Sequence, residues 1–134
     1  MRFIVVALLL IISQTALAGG DVCENPISTI DINECAMSEL KARTATLEHY
    51  YEKSLEHNAF DDQLVEAIKA SQSAWQSYLD AHCGAVYTQW REGTIRGVMA
   101  IECRKELVKI RTHTLWANFL TYMDSTPPVL PEPE

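Results

Sequence analysis

Basic side chains are scarce in this sequence. Lys and Arg number 11 against 18 Asp and Glu, a formal charge of −7. A field of that sign repels nucleic acid and anionic lipid, which excludes a phosphate-tracking surface as the main role. Glycine is also scarce, at 5 residues, and no Gly-rich phosphate loop occurs. Ser28, Ser38, Ser54, Ser71, Ser73 and Ser77 lack the glycine elbow of a serine hydrolase. No stretch alternates polar and apolar residues as a half-buried strand would. No C-x-x-C is present, so neither a dithiol redox motif nor a zinc knuckle is expected. His49, His57, His82 and His113 gather no carboxylate or cysteine into a ligand set. The acids follow helix faces and flank no recognisable cleft. The sequence therefore predicts no enzyme, no metal site and no cofactor.

What is present starts at the N-terminus. Phe3 to Ile12 is an apolar run after Met1-Arg2, and Ala16-Leu17-Ala18 follows as a small-x-small cleavage signal. This pattern predicts a secretory signal peptide over residues 1–18, too short to span a bilayer comfortably. Gly20-Asp21-Val22 before Cys23 is not a lipobox, so a soluble export without lipid is expected. Losing residues 1–18 removes Arg2 and leaves 10 basic against 18 acidic side chains, a charge of about −8. A cationic partner would be drawn in by that field. Cys23, Cys35, Cys83 and Cys103 all lie beyond residue 18, and an even count in a small exported chain predicts two disulfides.

The domain, 19–124, reads as all-α. Ser28 or Thr29 is placed to cap a first helix, supported by Asp31, running to about His57. Its apolar stripe is Ile32, Cys35, Ala36, Leu40, Leu47, Tyr50, Tyr51 and Leu55. Asp61 and Asp62 open a second helix that buries Leu64, Ile68, Ser71, Trp75 and Tyr78 and stops at Cys83-Gly84. Residues 85–87 either prolong it by a turn or begin the loop that follows. Thr94 caps a third helix reaching about Met123. Three helices with short turns predict a small antiparallel bundle stapled by two disulfides. Residues 125–134, with four of the five prolines, are expected to be a disordered tail.

Gln72-x-Ala74-Trp75-x-x-Tyr78-x-Asp80-Ala81-x-Cys83, then Gly93-Thr94-Ile95-Arg96, then Cys103-x-x-x-Leu107-x-x-x-Arg111-Thr112, resembles the LprI-type lysozyme-inhibitor domain. Cys23, Cys35-Ala36, Leu47 and Tyr51 echo its first half, so the likeness covers roughly residues 23–120. The chain departs from the family's usual pattern at Thr44, Glu48, Leu79, Glu92 and Val108. The resemblance implies a small exported helical bacterial protein, in a family named for a member that inhibits lysozyme.

Of the three possible pairings, the local one, Cys23–Cys35 with Cys83–Cys103, is favoured because it staples the second hairpin across its loop. A pairing of Cys35 with Cys83 also fits, since antiparallel helices bring both to one level. Trp75 is expected as the central core aromatic. Asp80 and Arg111 are expected to form an ion pair across that hairpin. Trp90, Arg91 and Arg96 in the loop before the third helix are the candidate partner-binding residues, because Trp and Arg are frequent interface anchors. An arginine there could meet a carboxylate in a lysozyme cleft. The reading is a periplasmic or secreted protein that binds a protein partner, most specifically a cationic lysozyme or other peptidoglycan hydrolase. The alternative is a non-inhibitory accessory, structural or immunity module.

Overall fold

In the computed structural model, which describes residues 22–134, three long helices form the molecule, and among the described residues there is no strand. A short 3-10 helix, Val22–Glu24, leads into α1, Thr29–His57. α2 spans Asp62–Gln89 and α3 spans Arg96–Phe119. The expected signal segment, residues 1–18, lies outside the described residues.

Local chemistry sets the helix ends. Ser28 and Asp31 form a capping box: the Ser28 hydroxyl accepts from the Asp31 N–H at 3.1 Å, and the Asp31 carboxylate accepts from the Ser28 N–H at 2.9 Å. The Ser28 N–H bond is the main reason that the Asp31 carboxyl sits below the ordinary carboxylate range. Asp61 caps α2 by accepting from the Leu64 N–H at 3.0 Å. Two expected ends moved. Gly84 lies inside α2 without the positive φ of a helix-ending glycine, and the helix continues to Gln89. Thr94 does not cap α3; Ile95 does, in helical conformation and without a side-chain bond, because the loop ahead is already coiled in turns. At its other end α3 stops at Phe119, short of Met123.

α3 is the central element. It packs along both α1 and α2, whereas α1 and α2 scarcely touch each other. α1 and α3 run parallel and in step. Near their starts, a Cβ on Gly97 would come within 2.6 Å of the Asn33 side chain, so the glycine permits the close approach. Further along, Lys105 pairs with Glu39, and at the far end the Asn58 side-chain amide donates to the Phe119 carbonyl at 3.2 Å. α2 runs antiparallel to α3. Cys83 meets Cys103 and Arg104 meets Asp80 near one end, and Arg111 meets Ser71 and Gln72 further along.

The core joins Leu47, Leu79, Val108 and Leu115, with Leu40, Tyr51, Trp75, Leu107 and Phe119 packed against it. Ile68 and Leu120 are also buried. Among the predicted core positions, Tyr78 and Ile32 face water instead. The expected stripes were too wide, because α1 and α2 each have one neighbour to pack on rather than two. Conversely, α3 buries Lys105, Arg111 and Thr112, polar residues that no apolar stripe would flag. Each is satisfied, and among the described residues no buried side-chain nitrogen or oxygen lacks a partner.

Both disulfides take the local pattern, Cys23–Cys35 and Cys83–Cys103. The expected disordered tail departs from the structure. Val129 donates its N–H to the Leu120 carbonyl at 2.8 Å, Trp116 Nε1 donates to the Leu130 carbonyl at 2.9 Å, and the Tyr50 hydroxyl donates to the Pro131 carbonyl at 2.7 Å. Prolines restrict the free segment beforehand, so less entropy is lost on docking it.

Replacing Cys83 and Cys103 together with serine is expected to lower stability by about 2–4 kcal/mol in denaturant unfolding. Leu115→Ala, at a fully buried site where α3 meets the core, is expected to cost a similar ~2–5 kcal/mol. A midpoint unchanged in both would contradict this packing.

Candidate functional site

The loop between α2 and α3 forms the tip of the second hairpin. It is built from hydrogen-bonded turns. Trp90 donates its N–H to the Val86 carbonyl at 3.3 Å, and Gly93 donates to the Trp90 carbonyl at 2.8 Å. The Arg96 guanidinium reaches back over the tip. It donates to the Arg91 carbonyl at 3.4 Å and lies 5.3 Å from the centre of the Tyr87 ring. Below the loop, the Cys83–Cys103 bond ties the two helices that carry it.

The three expected contact residues therefore differ in standing. Trp90 and Arg91 are exposed, and Arg91 makes a loose ion pair with its neighbour Glu92 at 3.5 Å. Arg96 is exposed as well, with its guanidinium engaged on the Arg91 carbonyl and the Tyr87 ring. Tyr87 and Ile95, which the sequence reading did not single out, are also exposed beside them. A surface holding Tyr87, Trp90 and Ile95 next to Arg91 combines apolar area with cationic donors. That composition suits docking on another protein, where rigid aromatics bury area at small entropic cost.

The signature residues of the second hairpin serve a different purpose. Asp80 does not pair with Arg111. Its partner is Arg104, at 2.8 Å, which lies beside Cys103 and so at the level of Asp80. Arg111 sits two turns further along α3, where it faces the preceding turns of α2. There its Nε donates to Gln72 Oε1 and its Nη2 to Ser71 Oγ, both at 2.9 Å, and its guanidinium lies 6.0 Å from the Trp75 ring centre. Burial lowers the Arg111 pKa from its ordinary value. Trp75 is half-buried rather than central. It lines a cleft of about 190 Å³ with Leu40, Leu47, Leu79, Arg104 and Val108. Gln72, Trp75 and Arg111 thus lock α2 to α3 and present little to a partner.

Sequence reasoning missed two further sets of polar contacts. Lys105 is buried and bridges Glu39 on α1 and Glu102 on its own helix, the latter at 2.8 Å. Its burial disfavours the charge, but the two carboxylates outweigh that and its pKa is raised. The Lys105 bond in turn holds the Glu39 carboxyl below its ordinary range. The other set is the Tyr50 and Trp116 donors to the tail. Among the described residues, no three or more His, Cys, Asp and Glu side chains gather as metal ligands.

Three helices, two staples and a braced aromatic tip define a small all-α protein whose exposed chemistry is suited to contact. Residues 23–115 match the family described as lysozyme inhibitor LprI, and the chain belongs to that family. It is also similar to an uncharacterized protein of Rhizobium meliloti (strain 1021), 29% identical over 104 residues, which cover 69% of this chain and 75% of the relative. No solved structure matches this chain.

Arg111→Ala is expected to lower stability by about 2–3 kcal/mol through the loss of two charge-assisted bonds. Arg111→Lys should recover little, because an ammonium lacks the Nε donor and the planar fork. Acid should also weaken the fold. Arg104, through its hydrogen bond, holds the Asp80 carboxyl below the ordinary range, as Lys105 does for Glu39. A carboxyl lowered in the folded state contributes stability above its unfolded pKa, and that contribution is lost as pH falls through the folded value. Melting temperature followed against pH should therefore drop less steeply in Asp80→Asn with Glu39→Gln than in the parent. Parallel acid limbs would show that these pairs do not contribute.

Proposed function

We propose that this protein is exported to the cell envelope and binds another protein there, inhibiting a lysozyme or a related peptidoglycan hydrolase. Membership of the LprI family over residues 23–115 carries this reading. The two disulfides support an oxidising compartment. No described helix is long and apolar enough to cross a membrane.

Inhibition would be occupancy without turnover. The acidic body, with a formal charge of −7 over the whole chain, steers a cationic enzyme toward it and speeds encounter. The tip then enters the substrate cleft. Trp90, Tyr87 and Ile95 supply apolar area, and Arg91 offers a guanidinium to one of the catalytic carboxylates that a glycosidase cleft carries. Arg96 stacks on Tyr87 so that the loop arrives already ordered. An ordered loop loses less entropy on docking.

The test is lysis of bacterial cell walls by a cationic lysozyme, with and without the oxidised protein. Inhibition at micromolar concentration is expected. Trp90→Ala and Arg91→Ala should each weaken it about tenfold or more, as interface anchors do, with the melting temperature nearly unchanged. No inhibition by the parent, together with no heat of binding, would refute the inhibitor role and leave an accessory or immunity module in its place.

A further inference from the structure

The groove between α1 and α3 holds a segment of the same chain, residues 129–133, mainly by its backbone. Val129, Leu130 and Pro131 each make one main-chain hydrogen bond, to Leu120, Trp116 and Tyr50 in turn. Glu132 adds a side-chain contact, 3.1 Å from His113 Nε2. Four consecutive residues are thus each gripped once, from both helices. Pro127, Pro128, Pro131 and Pro133 have no N–H, so the segment favours extended backbone with its carbonyls free to accept. Indole and phenol donors aimed at such carbonyls are the general means by which aromatic grooves take proline-rich peptides.

The two donors have little other use. Tyr50 is 6% exposed with the segment in place, and it also lines the open space beside Pro131. Beside the segment a space of about 730 Å³ stays open, lined by Ala42, Arg43, Thr46 and Lys109, with Glu132 and Glu134 on its other side. Its lining thus holds both cationic and acidic side chains. The family match ends at residue 115, so Trp116 and the segment lie beyond it, whereas Tyr50, Lys109 and His113 lie within it.

We propose that the α1–α3 groove is a binding site for an extended, proline-bearing acidic peptide, and that residues 129–133 occupy it in cis as a releasable strap. The strap follows Leu120 closely in the chain, so its local concentration is high, on the order of millimolar. An outside peptide of the same chemistry enters when the strap is released. This site is separate from the tip, and it stands whether or not lysozyme is the target.

The test uses the full chain with Leu130→Asp and Pro131→Gly, which weaken the strap and leave the groove intact. The readout is hydrogen exchange of the Trp116 indole N–H by NMR, assigned with Trp116→Phe. In the parent this proton should exchange slowly. In the variant it should exchange as fast as an exposed indole, with helical circular dichroism unchanged. A synthetic peptide of residues 126–134 should then restore protection saturably. The same peptide carrying Leu130→Asp and Pro131→Gly should not. Adding Tyr50→Phe to the variant should weaken peptide binding roughly fivefold, the loss of one hydrogen bond. Equal indole exchange in parent and variant would overturn the proposal, as would a folded variant that ignores the peptide. Unfolding of the variant would overturn it too, by making the segment part of the core. Parent protection that rises with protein concentration would overturn the cis assignment and give the groove to a second copy's strap.

Discussion

One helix satisfying two neighbours at once is the constraint on which the molecule depends. α1 and α2 scarcely meet, so α3 supplies the contact that makes three helices one domain. Each of its faces is fixed by a different kind of interaction. Toward α2 the register is set by covalent and charged contacts: the Cys83–Cys103 bond, Arg104 on Asp80, and Arg111 on Ser71 and Gln72. Toward α1 it is set by close approach at Gly97, the Lys105–Glu39 pair and the Asn58 amide on Phe119. A small core alone would leave such a bundle marginal, and the staples offset that by restricting the unfolded chain.

Both surfaces of interest are attached to the ends of this helix. The tip precedes its first turn, and the strap begins where Leu120 closes its last. The tip is braced by the Cys83–Cys103 crosslink below it and by Arg96 on the Arg91 carbonyl and the Tyr87 ring. The strap is held mainly through its backbone, by the Leu130 and Pro131 carbonyls and the Val129 N–H. A fixed surface and an exchangeable one therefore share a single scaffold. The residues that carry the family likeness between Gln72 and Arg111 lie mostly in the α2–α3 seam. They preserve the register of the hairpin.

Much of this architecture is legible in the sequence because helical periodicity, Ser28, Asp61 and the even cysteine count are local signals. Leu47 and Ile68 follow the stripe and are buried. The failures concern positions decided by neighbours. Tyr78 fits the α2 stripe and still faces water, because α2 packs on one helix only. Arg111 was paired with Asp80 from spacing along the hairpin, but Arg104 lies at the right level and takes the carboxylate first. Lys105 is buried through its distant partner Glu39, which helical spacing cannot reveal. The strap was hidden most completely. Its proline content reads as disorder until Tyr50 and Trp116 are seen to face the same groove. At the tip, Trp90 and Arg91 could be named from composition, whereas the Arg96 guanidinium lies over Tyr87, which spacing alone does not reveal.

The central claim is that α3 holds a preformed tip with which the protein meets its target. Hydrogen–deuterium exchange of the oxidised protein, with and without a cationic lysozyme in excess, tests it directly. The account predicts new protection confined to residues 87–96, with the amides of α1 and the strap unchanged. Binding that leaves residues 87–96 unprotected, or protects another face of the bundle, would contradict it.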